Sequence, residues 1–278
     1  VHDVAGATER LLALGEGMSD PDGESDTGQR SVFMDVYGAL AKFHMKNFGT
    51  TQAQLAAVAA KNHDHSVHNP LSQYRVPMTV GEVLAARKVS WPLTLPMCSP
   101  ISDGAAAAVL CREEELDRFD RARAVKIHAT ALRSGSDRRP DEFARHLTCR
   151  AANDAYEIAG LGPDDMDVAE VHDATAFAEI QQVENLGFCD FGEGGPLTES
   201  GATRLGGRIP VNPSGGLESK GHPVGATGLA QIHELVTQLR GEAGARQVDG
   251  ARFAIAENGG GFHGIEEAIA CVTILGRG

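Results

Sequence analysis

Residues 212–228, with the sequence NPSGGLESKGHPVGATG, form the stretch from which the rest of the chain is best interpreted. Glycines permit positive φ angles and a close approach of the backbone to a ligand, and Pro223 favours an extended conformation at His222. An amphipathic helical pattern follows over residues 226–239, and its first free amide groups are suited to an anionic oxygen. The stretch therefore predicts an active-site loop in which His222 donates or shuttles a proton. The alternative is a buried turn with a structural histidine.

This stretch resembles the C-terminal signature of the thiolase superfamily. Three further segments resemble motifs of the same family, in the family's order: residues 99–107 (SPISDGAAA), 171–174 (VHDA) and 257–261 (ENGGG). The first is similar to the segment beside the pantetheine of coenzyme A, the second to an oxyanion-hole loop and the third to the last glycine-rich catalytic loop. The resemblance covers essentially the whole chain, and the VHDA loop indicates the sterol-carrier-type and archaeal-type (lipid-transfer-protein-like) members.

The resemblance implies roles for particular side chains. By position, His222 is an oxyanion donor for a bound thioester, and His172 stands in the same hole, where other branches have asparagine. Ser99 matches a serine that lies along the pantetheine arm. His263 and Glu257, on the last loop, are further candidates for the site. The remaining positions implied to bind substrate or coenzyme A are Ser214, Gly215, Gly259 and Gly260.

Two positions depart from the family pattern. Sterol-carrier-type members have a cysteine after the His-Asp pair, where this chain has Ala174, and the other branch has a cysteine where this chain has Glu257. The nucleophilic cysteine of the family belongs to a segment upstream of anything similar to residues 1–18, so the resemblance implies that this segment is missing here. Of the five cysteines present, only Cys98 lies beside a motif, and a reactive thiol needs an activating neighbour.

The resemblance also predicts a distance. The loops that carry His172 and His222 both end strands of one predicted sheet, so we expect the two imidazoles to face one cavity. Two donors that share one oxygen lie within roughly 7 Å of each other. A larger separation of the rings would remove the oxyanion-hole assignment.

The composition indicates an ordinary soluble globular protein, with 42% hydrophobic and 23% charged residues. The 25 Lys and Arg against 38 Asp and Glu give a formal net charge of −13, which argues against a general surface for nucleic acid or an anionic membrane. Five cysteines without a CxxC pair argue against a disulfide framework and favour a reducing cytoplasm. The chain has neither an apolar run of about 18 residues nor a signal-peptide pattern at its beginning.

Helical and strand patterns alternate along the second half of the chain, which predicts an α/β fold with helices layered around a sheet. The predicted strands cover residues 125–131, 166–171, 252–256 and 269–275, and the predicted helices cover 151–158, 176–186 and 226–239. In the first half we predict a strand over 4–18, an acidic surface loop over 19–30, helices over 33–47 and from Thr51 and Thr79, and a buried strand over 103–111.

The change of pattern near Asp120 predicts a domain border, with a partial N-terminal domain over 1–120 and a C-terminal domain over 121–278. The thiolase resemblance implies the same division and a layered αβαβα fold of two related domains, the first of them incomplete. It also implies that a helical loop domain over about 19–95 covers coenzyme A. A homodimer that pairs through the first domains is implied as well.

In function, the resemblance implies an acyl-CoA C-acyltransferase of the 3-ketoacyl-CoA thiolase or acetyl-CoA acetyltransferase type, which forms or cleaves a C–C bond beta to a coenzyme A thioester. Coenzyme A and acyl-CoA are then substrates, and no bound cofactor is expected. Two alternatives stay open: a thiolase-like retro-aldol lyase, which would explain the absent acid/base cysteines, and a noncatalytic acyl-CoA-binding subunit. Related proteins often work beside a small zinc-ribbon and OB-fold partner.

Two other patterns are weaker. His63, His65 and His68 lack the spacing of a zinc finger or an HExxH helix, so a solvated loop is predicted rather than a metal site. The glycine-rich residues 259–264 match neither GxGxxG nor a P-loop. A nucleotide cofactor is therefore not expected.

Overall fold

Helices and strands alternate through residues 4–23 and 31–277, which are the residues described by the structure, a computed structural model. The α-helices are α1 (Val4–Leu14), α2 (Val32–Phe48), α3 (Gln52–Ser66), α4 (Val80–Ala85), α5 (Leu147–Ala159), α6 (Ala176–Asn185), α7 (Gly194–Glu199) and α8 (Thr227–Leu239). The strands are β1 (Lys88–Ser90), β2 (Leu93–Thr94), β3 (Val125–Ser134), β4 (Val168–Glu170), β5 (Phe253–Gly260) and β6 (Ile269–Arg277).

Strands β3, β6, β5 and β4 form, in that order, a mixed sheet. Strand β4 lies parallel to β5, with Glu170 opposite Ala256, whereas β3 and β5 are antiparallel to β6. The residues that follow β4 therefore emerge beside the last residues of β5. Because ligands in open α/β sheets bind beyond the carboxyl ends of parallel strands, this edge positions the candidate site.

Helices cover both faces of this sheet. On one face α5 packs on β3 and β6, and Ile255 of β5 belongs to the same apolar cluster. On the other face Leu235 and Leu239 of α8 cluster with Ala254 and Ala256, the neighbours of Ile255. Full burial of an aliphatic side chain such as leucine contributes about 1.5–3 kcal/mol. The predicted layered α/β architecture is confirmed.

Helices α2, α3 and α4 lie in the segment over about 19–95 for which a helical loop domain was expected, and we call these three helices the helical excursion. Gly49 ends α2 with a φ of 79°, a left-handed conformation that glycine adopts without a Cβ penalty. Thr51 and Thr79 begin α3 and α4 with capping boxes, in which the threonine hydroxyl accepts the N–H three residues on. Leu55 of α3 clusters with Phe177 of α6. The excursion is thus anchored on the helix that follows β4.

The strand predicted over residues 4–18 is wrong, because residues 4–14 form helix α1. Ala7 and Leu11 are buried and Leu14 is half-buried, a spacing of four and three residues that places them on one helical face. Leu11 packs against Val36 of α2. The adjacent leucines suggested a strand, but the partner helix decides which of them face inward.

The buried strand predicted over residues 103–111 is also wrong. This segment pairs with no strand of the described chain, and most of it is exposed, with Val109 87% and Leu110 74% accessible. Small apolar residues indicate a central strand only where other elements cover both faces. Of the surface loop predicted over 19–30, residues 24–30 lie outside the described residues.

His65 lies in the last turn of α3, where a solvated loop was predicted. Its ring is buried; Nδ1 donates to the carbonyl oxygen of Asn212 at 3.0 Å, and Nε2 accepts the N–H of Leu205 at 3.1 Å. Only the neutral Nδ1–H tautomer makes both bonds. Burial and nearby Lys61 lower the pKa of His65 to about 3. His63 is buried as well, so the solvated-loop prediction is wrong for both residues.

We predict that the stability contributed by His65 is lost in acid. Its folded pKa lies below the unfolded value of 6.5, so the neutral ring stabilises the fold fully above pH 6.5 and loses this contribution as the pH falls towards 3. In the unmodified protein, His65 alone lowers the free energy of unfolding by about 1.4 kcal/mol for each unit by which the pH falls between pH 6 and 4. His65→Gln, whose amide keeps a donor and an acceptor, should lack this contribution, so its stability should depend less steeply on pH. Urea titrations measure this slope. His68→Gln, at an exposed position, should keep the unmodified slope, and parallel curves for the His65 variant would contradict the prediction.

Candidate active site

Two loops that each carry a histidine meet beyond the end of β4. His172 is the second residue after this strand, and His222 lies in the glycine-rich loop before α8. The centroids of the two rings are 5.1 Å apart, and the ring planes meet edge to face at 78°. The structure thus brings together the two histidines that the sequence predicted to converge within about 7 Å.

The segment around Ser99 joins the same place. The N–H of Ser99 donates to the carbonyl oxygen of Ala174 at 3.0 Å, two residues beyond His172. Ile101 forms an isolated parallel bridge with His222, and the hydroxyl of Ser102 accepts the His222 N–H at 3.1 Å. Three motifs that are distant in sequence are therefore held together by main-chain contacts.

Thr227 determines which nitrogen of His222 carries the proton. Its hydroxyl lies 2.7 Å from Nδ1 of His222 and 3.2 Å from the carbonyl oxygen of Pro223. That carbonyl already accepts the N–H groups of Ala226 and Thr227, at 2.8 and 3.0 Å, so both of its lone pairs are occupied. A hydroxyl has a single proton, and Nδ1 is both nearer to it and less shared than the carbonyl oxygen. We infer that the hydroxyl donates to Nδ1 and that the neutral ring carries its proton on Nε2. His222 presents that N–H as a donor.

We predict that Thr227→Val, which keeps the branched shape but removes the hydroxyl, raises the share of the Nδ1–H tautomer of His222. The lost hydrogen bond is worth about 1 kcal/mol, which corresponds to roughly a fivefold change in the tautomer ratio. The ¹⁵N chemical shifts of the ring report this ratio. Thr227→Ser should retain the Nε2–H form, and an unchanged ratio in the valine variant would show that Thr227 does not control the tautomer.

Both imidazoles are neutral at neutral pH. His172 is 8% exposed, and burial together with the nearby His222 lowers the pKa of His172 to about 4. Burial and the charge of Lys220 lower the pKa of His222. Neutral rings can still donate an N–H, and donors that are fixed in place before reaction stabilise a developing oxyanion most effectively. The pair is suited to bind an oxygen that gains negative charge.

Glu257 lies beside this pair, whereas His263 contacts another loop. The carboxyl of Glu257 is fully buried, and its Oε2 accepts the main-chain N–H of His172 at 3.0 Å. Burial and the charge of Glu267 raise the pKa of Glu257 well above its usual value, which favours the protonated carboxyl. His263 places Nε2 3.5 Å from Oδ1 of Asp137, on an exposed surface.

Ser214 and Gly215, implied to bind substrate, have buried positions in the glycine-rich loop. The hydroxyl and the N–H of Ser214 donate to the two carboxylate oxygens of Glu170, at 2.8 and 3.0 Å. This arrangement favours a structural role for the serine side chain. Gly215 has a φ of 103°, and a Cβ there would lie 2.5 Å from the Cβ of Ser66. Glycine therefore allows the loop to pack closely on α3.

Gly259 and Gly260 belong to strand β5, so the glycine-rich loop expected over residues 257–261 is wrong for these two residues. Both glycines pair with residues of the antiparallel strand β6, with Gly260 opposite Ile269. Gly261 follows the strand with a φ of 69°. A Cβ at Gly259 would lie 3.2 Å from Cγ of Glu267, so this glycine makes room for acidic side chains rather than for a turn.

A buried network of polar side chains, which the sequence did not predict, lies behind the His172 loop. Lys61 is fully buried, and its Nζ contacts Oε1 of Glu179 at 2.8 Å, Oδ1 of Asn62 at 2.7 Å and the carbonyl oxygen of Val211 at 2.7 Å. Asn62 donates to Oε2 of Glu179 at 2.9 Å and to Oδ2 of Asp173 at 3.1 Å. A lysine on the apolar side of a predicted helix was the signal that could have indicated this site.

Asp173 and Asn212 connect this network to the two histidine loops. Oδ1 of Asp173 accepts the N–H of Leu217, in the loop of His222, at 2.8 Å. Asn212 accepts the N–H of Val171 at 2.9 Å and donates to Glu179 at 2.7 Å. The network thus links the end of β4, the glycine-rich loop and helices α3 and α6. It holds the loops of His172 and His222 in one relative position.

Other chemistry has little support among the described residues. No group of three or more His, Cys, Asp or Glu side chains is arranged there to hold a metal ion. The cysteines are free thiols, and burial together with Glu218 raises the pKa of Cys98 to about 12, so this thiol is not activated. Within residues 4–23 and 31–277, no helix has the length and apolar character needed to cross a membrane.

Comparisons with known proteins agree with these motifs. The family described as "Thiolase C-terminal domain-like" matches residues 129–277. The chain is 46% identical over 260 residues to an acetyl-CoA acetyltransferase of Methanothermobacter thermautotrophicus. This alignment covers 92% of this chain and 66% of that protein. It is 43% identical over 230 residues to sterol carrier protein 2 of Rattus norvegicus, in an alignment that covers 80% of this chain and 42% of that protein. It is 35% identical over 254 residues to the benzoylsuccinyl-CoA thiolase subunit BbsB of Thauera aromatica, covering 89% and 66%.

Solved structures share the fold. The Ltp2-ChsH2(DUF35) aldolase superposes with a TM-score of 0.73 at 22% identity, covering 87% of this chain and 63% of that chain. A monomeric SCP2-thiolase like protein type 1 from Mycobacterium smegmatis gives a TM-score of 0.64 at 19% identity, covering 87% and 51%. The chain spans between 42% and 66% of the length of the three sequence relatives. It belongs to the thiolase superfamily, on the branch of the sterol-carrier-protein-2-type thiolases.

Proposed function

We propose that the protein is a thiolase-type acyl-CoA C-acyltransferase, which forms or cleaves a C–C bond beta to a coenzyme A thioester. The observation that carries this proposal is the pair of neutral imidazoles of His172 and His222, whose centroids lie 5.1 Å apart. The acetyl-CoA acetyltransferase and the benzoylsuccinyl-CoA thiolase subunit among the relatives support the same reaction class.

The chemistry requires a place for negative charge. When the C–C bond of a 3-ketoacyl thioester breaks, its electron pair passes into an enolate whose charge rests on the thioester oxygen. In our proposal the Nε2–H of His222 and an N–H of His172 bind this oxygen. Their bonds strengthen as the charge develops, so they lower the barrier rather than only tightening binding.

The coenzyme A arm is proposed to lie across the loop that carries His222, beside Ser99. The helical excursion reaches the same loop, because the N–H groups of Gln73 and Tyr74 donate to the carbonyl oxygens of Lys220 and Ser219 at 2.9 and 3.0 Å. The Tyr74 ring is 45% exposed there. An exposed aromatic side chain beside the loop supports the assignment of the excursion, within the N-terminal domain proposed over residues 1–120, as the cover of coenzyme A.

The covalent step of a thiolase needs a nucleophilic thiol, and we assign that role to no described cysteine. Ala174 and Glu257, at the positions of the family's acid/base cysteines, favour a second candidate, a thiolase-like retro-aldol lyase. Such a lyase cleaves a 3-hydroxyacyl thioester without an acyl-enzyme and without free coenzyme A as acceptor. The requirement for free coenzyme A therefore separates the two reactions.

The test uses the full-length protein with acetoacetyl-CoA and with a 3-hydroxyacyl-CoA, each with and without free coenzyme A, followed by mass spectrometry of the acyl-CoA products. We expect acetoacetyl-CoA to give acetyl-CoA only when coenzyme A is added. Cleavage of the hydroxyacyl substrate alone, without coenzyme A, would support the lyase. Binding without any cleavage would support a noncatalytic acyl-CoA-binding subunit.

Assembly is part of the proposal. We infer a homodimer that acts in the cytoplasm, with a small zinc-ribbon and OB-fold protein as a further partner. The structurally similar Ltp2-ChsH2(DUF35) aldolase carries a second, DUF35 component in its name, which supports a partner of this kind. Light scattering of the purified full-length protein tests the dimer, and co-purification with a co-expressed zinc-ribbon protein tests the partner.

A further inference from the structure

Glu257 is a buried carboxyl that takes no part in the proposed oxyanion hole. Oε2 accepts the His172 N–H at 3.0 Å, but Oε1 has no hydrogen-bond partner among residues 4–23 and 31–277. Gly259 borders this oxygen without a side chain of its own, since a Cβ there would lie 3.4 Å from Oε1. A buried polar atom without a partner is uncommon in folded proteins and calls for an explanation.

The pKa values of Glu257 and the neighbouring Glu267 are shifted in opposite directions. Burial opposes the ionised form of Glu267, but His146, whose Nε2 lies 3.3 Å from Oε2 of Glu267, lowers the pKa of Glu267 to about 2. The groups that face Glu257 are therefore ionised Glu267, Asp173, neutral His172 and the Tyr37 phenol of α2, whose pKa is raised by burial and these carboxyls. Neighbouring titratable groups whose environments push their pKa values apart are typical of acid–base sites.

We propose that Glu257 is the acid–base residue that transfers the proton at C2 of the acyl group, the carbon next to the thioester carbonyl. This inference rests on the proposed function. In the cleavage direction the proton on Oε1 joins C2 of the enolate, whose electron pair forms the new C–H bond, and Glu257 becomes a carboxylate. In the reverse direction the carboxylate removes a proton from C2, and the electron pair of the C–H bond forms the enolate that His172 and His222 stabilise. Protons and charge balance within the site, without another reactant.

The reverse step can be measured alone, as exchange of the C2 protons of acetyl-CoA with D2O, followed by ¹H NMR on the full-length protein. Glu257→Gln keeps an oxygen that accepts the His172 N–H but cannot take up the substrate proton. We expect this variant to lose exchange by roughly 100-fold or more, with acetyl-CoA affinity within about twofold. The exchange rate of the unmodified protein should rise with pH, because only ionised Glu257 removes the proton.

Glu184→Gln is the matched control. Its carboxyl is also buried and also accepts a main-chain N–H, that of Gly194 at 3.0 Å, but its other contact is His44 at 3.0 Å rather than the His172 loop. This control should exchange like the unmodified protein. Undiminished exchange in Glu257→Gln, or no exchange in unmodified protein that binds acetyl-CoA, would overturn the assignment of Glu257. If acetyl-CoA does not bind at all, the proposed function itself fails, and the binding measurement distinguishes the two failures.

Discussion

His222→Ala and His172→Ala are each expected to lower the turnover of acetoacetyl-CoA by roughly 100-fold or more in the full-length protein, with little change in acyl-CoA affinity. The two rings lie 5.1 Å apart and are neutral, so they act as N–H donors where charge develops. The alanine at 172 keeps the main-chain N–H that binds Glu257. Single-turnover kinetics beside acyl-CoA titrations separate loss of rate from loss of binding.

Two further variants make this test specific. His233→Ala removes an exposed histidine of α8 and should leave turnover unchanged. Ser99→Ala should weaken acyl-CoA binding more than turnover, because the pantetheine arm is the same in substrate and transition state. Equal losses of affinity in the His222 and Ser99 variants, with turnover intact, would favour the noncatalytic binding subunit.

Lys61→Met is expected to reduce the free energy of unfolding by about 3–5 kcal/mol, the largest stability effect that we predict. Methionine keeps the length of the side chain but removes the ammonium that pairs with Glu179 at 2.8 Å, where both side chains are fully buried. The loss leaves a buried carboxylate without its cation. Urea denaturation at neutral pH measures the change.

The double variant Lys61→Met with Glu179→Gln tests the cause. Removing both charges should recover about 1–3 kcal/mol of the loss, because a buried pair replaced as a whole costs far less than a pair broken on one side. Lys46→Met, at an exposed position of α2, should change stability by less than about 0.5 kcal/mol. If Lys61→Met alone were as stable as the Lys46→Met control, the buried ion pair would not be what stabilises the loops.

Features that depend on neighbouring residues could be predicted from the sequence. The helix starts at Thr51 and Thr79 and the end of α2 near residue 47 were predicted, because the signals for them join residues only a few positions apart. The alternation of helices and strands after residue 121 was predicted for the same reason. The strand pattern over 103–111 failed, because burial of a strand depends on partners distant in sequence.

The motif of His222 could also be found, because glycines and a proline around a histidine are typical of a loop that binds a ligand. The VHDA motif of His172 could be found through its resemblance to the family. The assignment of α1 and the burial of His65 could not, because each depends on contacts with distant residues such as Val36 and Asn212. The same applies to Lys61, whose charge is tolerated only because three acceptors surround it.

The sequence by itself determined the layered α/β pattern, the family motifs and the identity of His172 and His222, since these follow from residue type and spacing. Only the tertiary structure decided that the two rings meet edge to face, that the Thr227 hydroxyl lies 2.7 Å from Nδ1 of His222, and that Glu257 is buried beside His172 with a raised pKa. The physical reason is that protonation and hydrogen-bond direction depend on burial and on neighbouring charges. Those neighbours come from strands and loops that are distant in sequence.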